Sequence, residues 1–387
     1  MRASQLLALA LLCLPASAPA YSVLTHEAVI DSAWDLSIKP LLLSAYPEAT
    51  PEELIAAHGY AYGGAIIQDF GYYPHGSRLF SDLAHYVSAG DFILNLIANA
   101  RDLNEYAFAL GSLAHYAGDQ QGHSIAVNMA VPLLYPKLFK KFGSIVTYED
   151  DHVSHLKVEF AFDVLQVARG NYAPTAYHDF IGFNVAKPVL ERAFEQTYCL
   201  KMTDLFTNLD RSIGTYRHLV GTTLPRATKV AWAMKKDEIA KPAGDRPSRT
   251  KRKFLYTLSR ASYEKEWGPG YERPTSKECF LAFLIGLLPK IGPLKALSFQ
   301  PPTPATEELF MKSFDNTVDQ YRTLLKAVGT HSLRLPEINL DTGKPTGTVP
   351  YVAADDTRAE LSKKQAVAGC PANLNPLKNS PPPSEKP

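Results

Sequence analysis

His115 and Asp119 stand four residues apart in His115-Tyr-Ala-Gly-Asp119-Gln-Gln-Gly-His123, and His155-Leu-Lys-Val-Glu159 repeats the interval. Positions i and i+4 of an α-helix share a face about one turn apart, so each pair can close on one metal ion. Nine of the eleven histidines fall between His26 and His178, which concentrates imidazole in the first half of the chain. If the helix of His115 ran on to His123, the two rings would stand about 12 Å apart along its axis, too far for one zinc ion with bonds of about 2.0–2.2 Å. At least two ions are therefore expected, with Asp119 as a bridging carboxylate. Alternatively, Gly122 ends the helix and turns His123 inward.

Single residues add to the same chemistry. Asp69 follows Gly63-Gly-Ala-Ile-Ile-Gln68, and His85 closes Phe80-Ser-Asp-Leu-Ala-His85. Asp150, Asp151 and His152 precede the His155 helix, where they either cap it or compete for the ligand role. No CxxC pattern exists, so a metal must rely on nitrogen and oxygen donors.

These residues need helices to hold them. From Thr25 to about Leu325 the apolar positions recur at three- and four-residue spacing, as in Leu103 to Ala117 and His155 to Ala168. Strand-like alternation is scarce, and turn signals at Tyr46-Pro47, Pro74-His75-Gly76, Gly143-Ser144 and Gly170-Asn171 separate the helical runs. The expected fold class is all-α, a multi-helix bundle of about ten helices with a disordered C-terminal tail. Four segments are expected: a signal peptide over 1–20, a metal-binding catalytic domain over 21–235, a helical extension over 236–334, and a Pro-rich tail over 335–387 without packed structure.

The first twenty residues have Arg2, an apolar run from Leu6 to Leu14 and the small-residue site Ala18-Pro19-Ala20, the pattern of a secretory leader. Cleavage makes Tyr21 the N-terminus, five residues before His26, and its freed amino group becomes a further nitrogen ligand. A secreted or periplasmic location follows. Three cysteines remain, Cys199, Cys279 and Cys370, which allow one disulfide and one spare thiol in an oxidising compartment. The 387 residues are 46% hydrophobic with a net charge of +1, enough for a real core and without the basic face that neutralises nucleic-acid phosphates. The basic run Arg246 to Lys253 reads as a solvated loop, and the apolar run Cys279 to Leu288 as a core helix, the alternative being contact with a membrane surface.

The ordered set Tyr21, His26, Asp69, His85, His115, Asp119, His123, His155, Glu159 resembles the tri-zinc phospholipase C family and its relatives, the single-strand-specific zinc nucleases. Proteins of that group begin with Trp, then carry a His, a lone Asp, a His, a His-x-x-x-Asp pair with a further His, and finally His-x-x-x-Glu or His-x-x-x-Asp. The match spans about residues 21 to 165 and departs twice: Tyr21 replaces Trp, and His123 follows Asp119 by four residues rather than six, which leaves His152 as its substitute. The resemblance implies two or three Zn2+ ions. Asp69, His85, His115 and Asp119 would surround one, and His123, His155 and Glu159 a second. The amino and carbonyl groups of Tyr21, with His26 and Asp119, would hold the third. It further implies a phosphodiesterase of the phospholipase C type acting on a phospholipid or other phosphodiester, with Asp69 as the catalytic carboxylate that orients or deprotonates water and reaches solvent. Because ligand imidazoles must be neutral, activity is expected to fall below about pH 6. The alternatives are a single-strand-specific zinc nuclease, for which nucleic acid is the partner, and a non-catalytic zinc-binding helical protein.

Overall fold

The computed structural model describes residues 22–174, 177–239, 249–259, 274–286, 297–348 and 350–370. The chain is all-α, as its periodicity leads one to expect. Among the described residues the only sheet is an antiparallel pair, β1 (Ile338–Asn339) with β2 (Lys344–Pro345), in register Ile338 to Pro345. The expected leader, 1–20, and Tyr21 lie outside the described residues.

Among the first helices of the body are α1 (Val23–Ala33), α2 (Pro51–Gly64), α3 (Arg78–Tyr86), α4 (Ala89–Asn99) and α5 (Leu103–Gln121). They are followed by α6 (Asn128–Leu134), α7 (His152–Ala168), α8 (Lys187–Tyr198), α9 (Leu209–His218) and α10 (Leu224–Met234). Their starts follow local chemistry. Thr50 and Glu53 form a capping box on α2 with Pro51 at its first position, and Asp102 and Asp151 accept the amides of Glu105 and Ser154 at 2.8 Å to begin α5 and α7. Asp151 is thus a cap. Asp150 accepts the amide and hydroxyl of Thr147, both at 2.8 Å.

Helix α5 is the axis of the fold, buried continuously from Ala107 to Asp119. It can lie this deep because glycines let α2 approach it. A Cβ on Gly64 would meet the Phe108 carbonyl oxygen at 1.9 Å, and one on Gly111 would meet the Ala61 carbonyl oxygen at 2.1 Å. On another side lies α13 (Pro304–Gly329), capped by Thr303, whose Tyr321 hydroxyl donates to the Leu110 carbonyl at 2.8 Å. The long helix of the expected extension therefore shares the core of the metal-binding segment. An aromatic cluster fixes the 3-10 turn Ile67–Tyr72 that carries Asp69: Phe70 stacks on Phe206 at 4.9 Å and packs edge-on to Phe80 at 5.7 Å.

The later segments differ from expectation in part. The described portion of the basic run opens helix α11 (Arg249–Ser259) instead of a loop. Phe254 of this helix packs on Phe314 at 5.2 Å, and Lys253 pairs with Asp319 at 2.9 Å. The apolar run falls in α12 (Ser276–Gly286), where Ala282 joins a second core with Phe160, Val164, Val230 and Phe299, while Phe280 is 63% exposed. Residues 287–296 lie outside the described residues, and no described helix is long and apolar enough to cross a membrane.

The segment after Leu333, expected to lack packed structure, is packed as far as Cys370. Leu335, Ile338, Leu340, Tyr351 and Leu361 are buried, α14 (Val352–Ala368) lies against the body, and a disulfide joins Cys199 to Cys370 across 171 residues. The Gly, Thr and Pro residues that suggest disorder here are turn chemistry. Asn339 accepts the Thr342 amide with its side chain and the Gly343 amide with its carbonyl, at 3.1 and 2.8 Å. Gly343, at φ +66°, closes the turn against the Gln120 carbonyl. Cys279 is the spare, exposed thiol, and the Pro-rich end, 371–387, lies outside the described residues.

The interlocked α2 and α5 give a direct test. Gly111→Ala should destabilise the protein by about 1–3 kcal/mol or more, because the added methyl meets rigid backbone. A denaturant midpoint equal to that of the unchanged protein would show that the helices are not locked in this way.

Candidate metal centre

Helices α1, α3 and α5 and the 3-10 turn bring five side chains to one point. Around Asp119, the nearest nitrogens are His115 Nε2 at 3.1 Å, His85 Nε2 at 3.2 Å and His26 Nε2 at 3.4 Å. Asp69 Oδ1 lies 3.4 Å from His85 Nε2, the two facing imidazole nitrogens of His85 and His115 are 3.3 Å apart, and the His26 ring stacks on His115 at 4.5 Å. Beside them α5, continuing through a π-helical turn over Gly122–Val127, and α7 gather His123, His155 and Glu159. One ligand atom from each lies within 4.8 Å of the others. None of these eight residues is more than 1% exposed.

The orientation of the imidazoles decides what can sit between them. His85 Nδ1 faces the Ser81 carbonyl at 2.7 Å, and His115 Nδ1 the Ala65 carbonyl at 2.9 Å. His155 Nε2 faces the Val146 carbonyl at 2.7 Å. Each of those nitrogens must carry the proton, since a carbonyl only accepts, so the other nitrogen turns a lone pair inward. The Ala65 carbonyl is in place because α2 approaches α5 so closely at its glycines. Both oxygens of Asp69, Asp119 and Glu159 and the Nδ1 atoms of His123 and His155 have no hydrogen-bond partner. Acceptors thus face acceptors across about 3.3 Å, an arrangement costing about 1–3 kcal/mol per buried orphan unless something positive lies between them. A tetrahedral ion with bonds of about 2.0–2.2 Å sets its ligand atoms roughly 3.3–3.6 Å apart, so the spacings fit a bound metal.

The electrostatics agree. Burial opposes charge on His85, but the adjacent Asp119 and Asp69 carboxylates outweigh it and hold the imidazole pKa well above its usual value, so its inner nitrogen takes a positive charge, from a proton or a metal ion, in preference to keeping a bare lone pair. Burial likewise favours a neutral Asp119, yet His115, His26 and His85 hold it well below the carboxylate range. For His155 burial wins: burial and the neighbouring His123 outweigh the Val146 carbonyl and the Asp341 and Asp151 carboxylates and bring it down to about 3. Burial, reinforced by Asp119 and Asp69, pushes Glu159 well above its usual range. The second group therefore holds a neutral imidazole and a carboxyl group that ionises readily only when a cation offsets its burial.

All the site residues expected from sequence that are described, from His26 to Glu159, fall in these two adjoining groups. Three details differ. Gly122 keeps helical angles (φ −63°, ψ −52°), and the π-helical turn rather than a break re-aims the chain after His123. His152 packs at a tilt against Tyr148, ring centroids 4.5 Å apart, in an outer groove. Asp69, expected to reach solvent, is 1% exposed under the aromatic turn. One contact was missed: Asp341 Oδ1 lies 3.1 Å from His123 Nε2. The turn residues Asn339-Leu-Asp-Thr-Gly343 were its signal, within a stretch whose composition resembles a disordered tail.

Residues 25–207 match the family model described as zinc dependent phospholipase C. No curated protein and no solved structure matches the chain.

Metal binding to so many unsatisfied buried groups must stabilise the fold. A single site held at a hundredfold excess over its Kd adds about 2.7 kcal/mol. Stripping the protein with a chelator should lower its melting temperature by several degrees, and added zinc should restore it. Identical melting curves with and without metal would contradict the assignment.

Proposed function

We propose, on the premise that residues 25–207 make this chain a member of the zinc-dependent phospholipase C family, that it is an exported hydrolase that cleaves the phosphodiester of a phospholipid. The observation that carries this is the convergence of Asp69, His85, His115 and Asp119 on one point, with inward-facing oxygens that no hydrogen bond satisfies. His123, His155 and Glu159 form the adjoining ligand set, and His26 shares Asp119 with the first.

Two or three zinc ions held there would supply Lewis acidity toward water and phosphoryl oxygen at neutral pH. The chain's own residues do the rest. Asp119, within 3.4 Å of three imidazoles, ties His26 to the His85 and His115 pair. Asp69, whose oxygens accept no hydrogen bond, takes the proton of the attacking water or orients it. Ser81, Ala65 and Val146 lend their carbonyls to hold three imidazoles in one tautomer through the reaction. An outer groove of about 590 Å³, lined by Arg78, Tyr86, Tyr148, Glu149, His152 and Tyr351 among others, approaches the second group, the Tyr148 ring lying 6.0 Å from His155. Export is supported by the leader-like residues 1–20 and by the Cys199–Cys370 disulfide, which belongs to an oxidising compartment.

Incubation of the mature protein with phosphatidylcholine vesicles should release phosphocholine and leave diacylglycerol. Nucleotide release from single-stranded DNA, with the lipid untouched, would transfer the assignment to the nuclease branch. Zinc binding without turnover of either would leave a storage or structural role. Asp119→Asn should lose metal and activity together; unchanged activity in that variant would refute the role given to this carboxylate.

A further inference from the structure

Outside the segment that matches the family, the turn between β1 and β2 inserts one carboxylate against the second ligand group. Asp341 is 2% exposed, and its Oδ1 lies 3.1 Å from His123 Nε2. Its other oxygen is fully engaged: the Tyr86 hydroxyl of α3 donates to Oδ2 at 2.8 Å, and the Tyr351 hydroxyl at the start of α14 donates to the same atom. The turn itself is seated from several sides. Asn128 donates its side-chain amide to the Asp341 carbonyl at 2.9 Å, the Leu340 amide donates to the His85 carbonyl at 3.3 Å, and Gly343 closes against Gln120. So many fixed partners leave Oδ1 one direction to face.

That direction settles the tautomer of His123. A carboxylate only accepts, so Nε2 carries the proton and donates it to Asp341, which leaves Nδ1, an atom without a hydrogen-bond partner, as the nitrogen whose lone pair His123 can offer in its group with His155 and Glu159. For His85, His115 and His155 the same task falls to backbone carbonyls. A carboxylate in that role also makes the imidazole a stronger donor.

We propose that Asp341 is a positioning residue for the second metal site, fixing and strengthening His123 as a ligand, and that the C-terminal strap 336–370 is thereby a working part of the zinc centre. This rests on the reading of His123, His155 and Glu159 as a metal site. Tyr86, Tyr351 and Asn128 hold the strap's carboxylate in place, and the Cys199–Cys370 disulfide secures the far end of α14 to the body.

The test is zinc binding to the mature, full-length protein, measured by competition with a chromophoric chelator together with the number of ions retained. Asp341→Ala should weaken one zinc about 100-fold and Asp341→Asn, which keeps an acceptor of the same size but removes the charge, about 10-fold. The remaining zinc should stay at its original affinity in both variants. The Asn variant decides the matter should the Ala variant fail to fold. Folded Asp341→Asn that retains every ion within twofold of the unchanged affinity would overturn the proposal, and so would equal weakening of all the ions, which marks a merely structural role. Unchanged protein that binds no zinc would instead remove the site reading on which the proposal rests.

Discussion

A buried carboxyl group with no hydrogen-bond partner is among the least favourable arrangements a fold can hold, and here three of them, Asp69, Asp119 and Glu159, lie together in the interior with imidazole nitrogens turned toward them. Like-signed and lone-pair-bearing atoms at about 3.3 Å repel unless a cation lies between them. The rest of the structure depends on that constraint. The helices do not merely enclose the site; the outer nitrogens of His85, His115, His123 and His155 are occupied, so that in the neutral ring the inner nitrogen is the one left to offer a lone pair.

Seen from that constraint, the scaffold is specific. Glycine contacts between α2 and α5 set the Ala65 carbonyl behind His115, and the turn of α3 sets Ser81 behind His85. The loop before α7 sets Val146 behind His155. The aromatic stack of Phe70 on Phe206 keeps Asp69 on a short 3-10 turn instead of a mobile loop. Asp163, on α7, accepts the Leu24 amide at 3.0 Å and the Thr25 hydroxyl at 2.7 Å, and so fixes the start of α1 and the place of His26. Burial pushes the Asp163 carboxyl up to about 7, so that anchor gains from its hydrogen bonds without needing a countercharge.

Much of this was legible in the sequence because helical spacing is a local property. His115 with Asp119 and His155 with Glu159 share a face by the geometry of one turn, and their order with His26, Asp69 and His85 carries the family resemblance. The supporting carbonyls were not legible, since any residue supplies one and only the fold selects Ser81, Ala65 and Val146. Asp341 escaped for another reason. A two-residue strand pair and a turn give almost no periodic signal, and their Gly, Thr and Pro residues have the composition of disorder. Packing of Ile338, Leu340 and Tyr351, with a disulfide behind α14, orders a stretch that composition alone would leave unfolded. The basic run misled similarly: Arg252 and Lys253 are exposed on α11, while Phe254 and Leu258 of the same helix are buried.

Diffraction data collected on either side of the zinc absorption edge, from crystals of the mature protein grown without chelator, test the central claim most directly. Two or three anomalous peaks are predicted, at least one among Asp69, His85, His115 and Asp119 and one among His123, His155 and Glu159. Clear density for these side chains with no peak between them would contradict a metal centre and leave their burial without a cause.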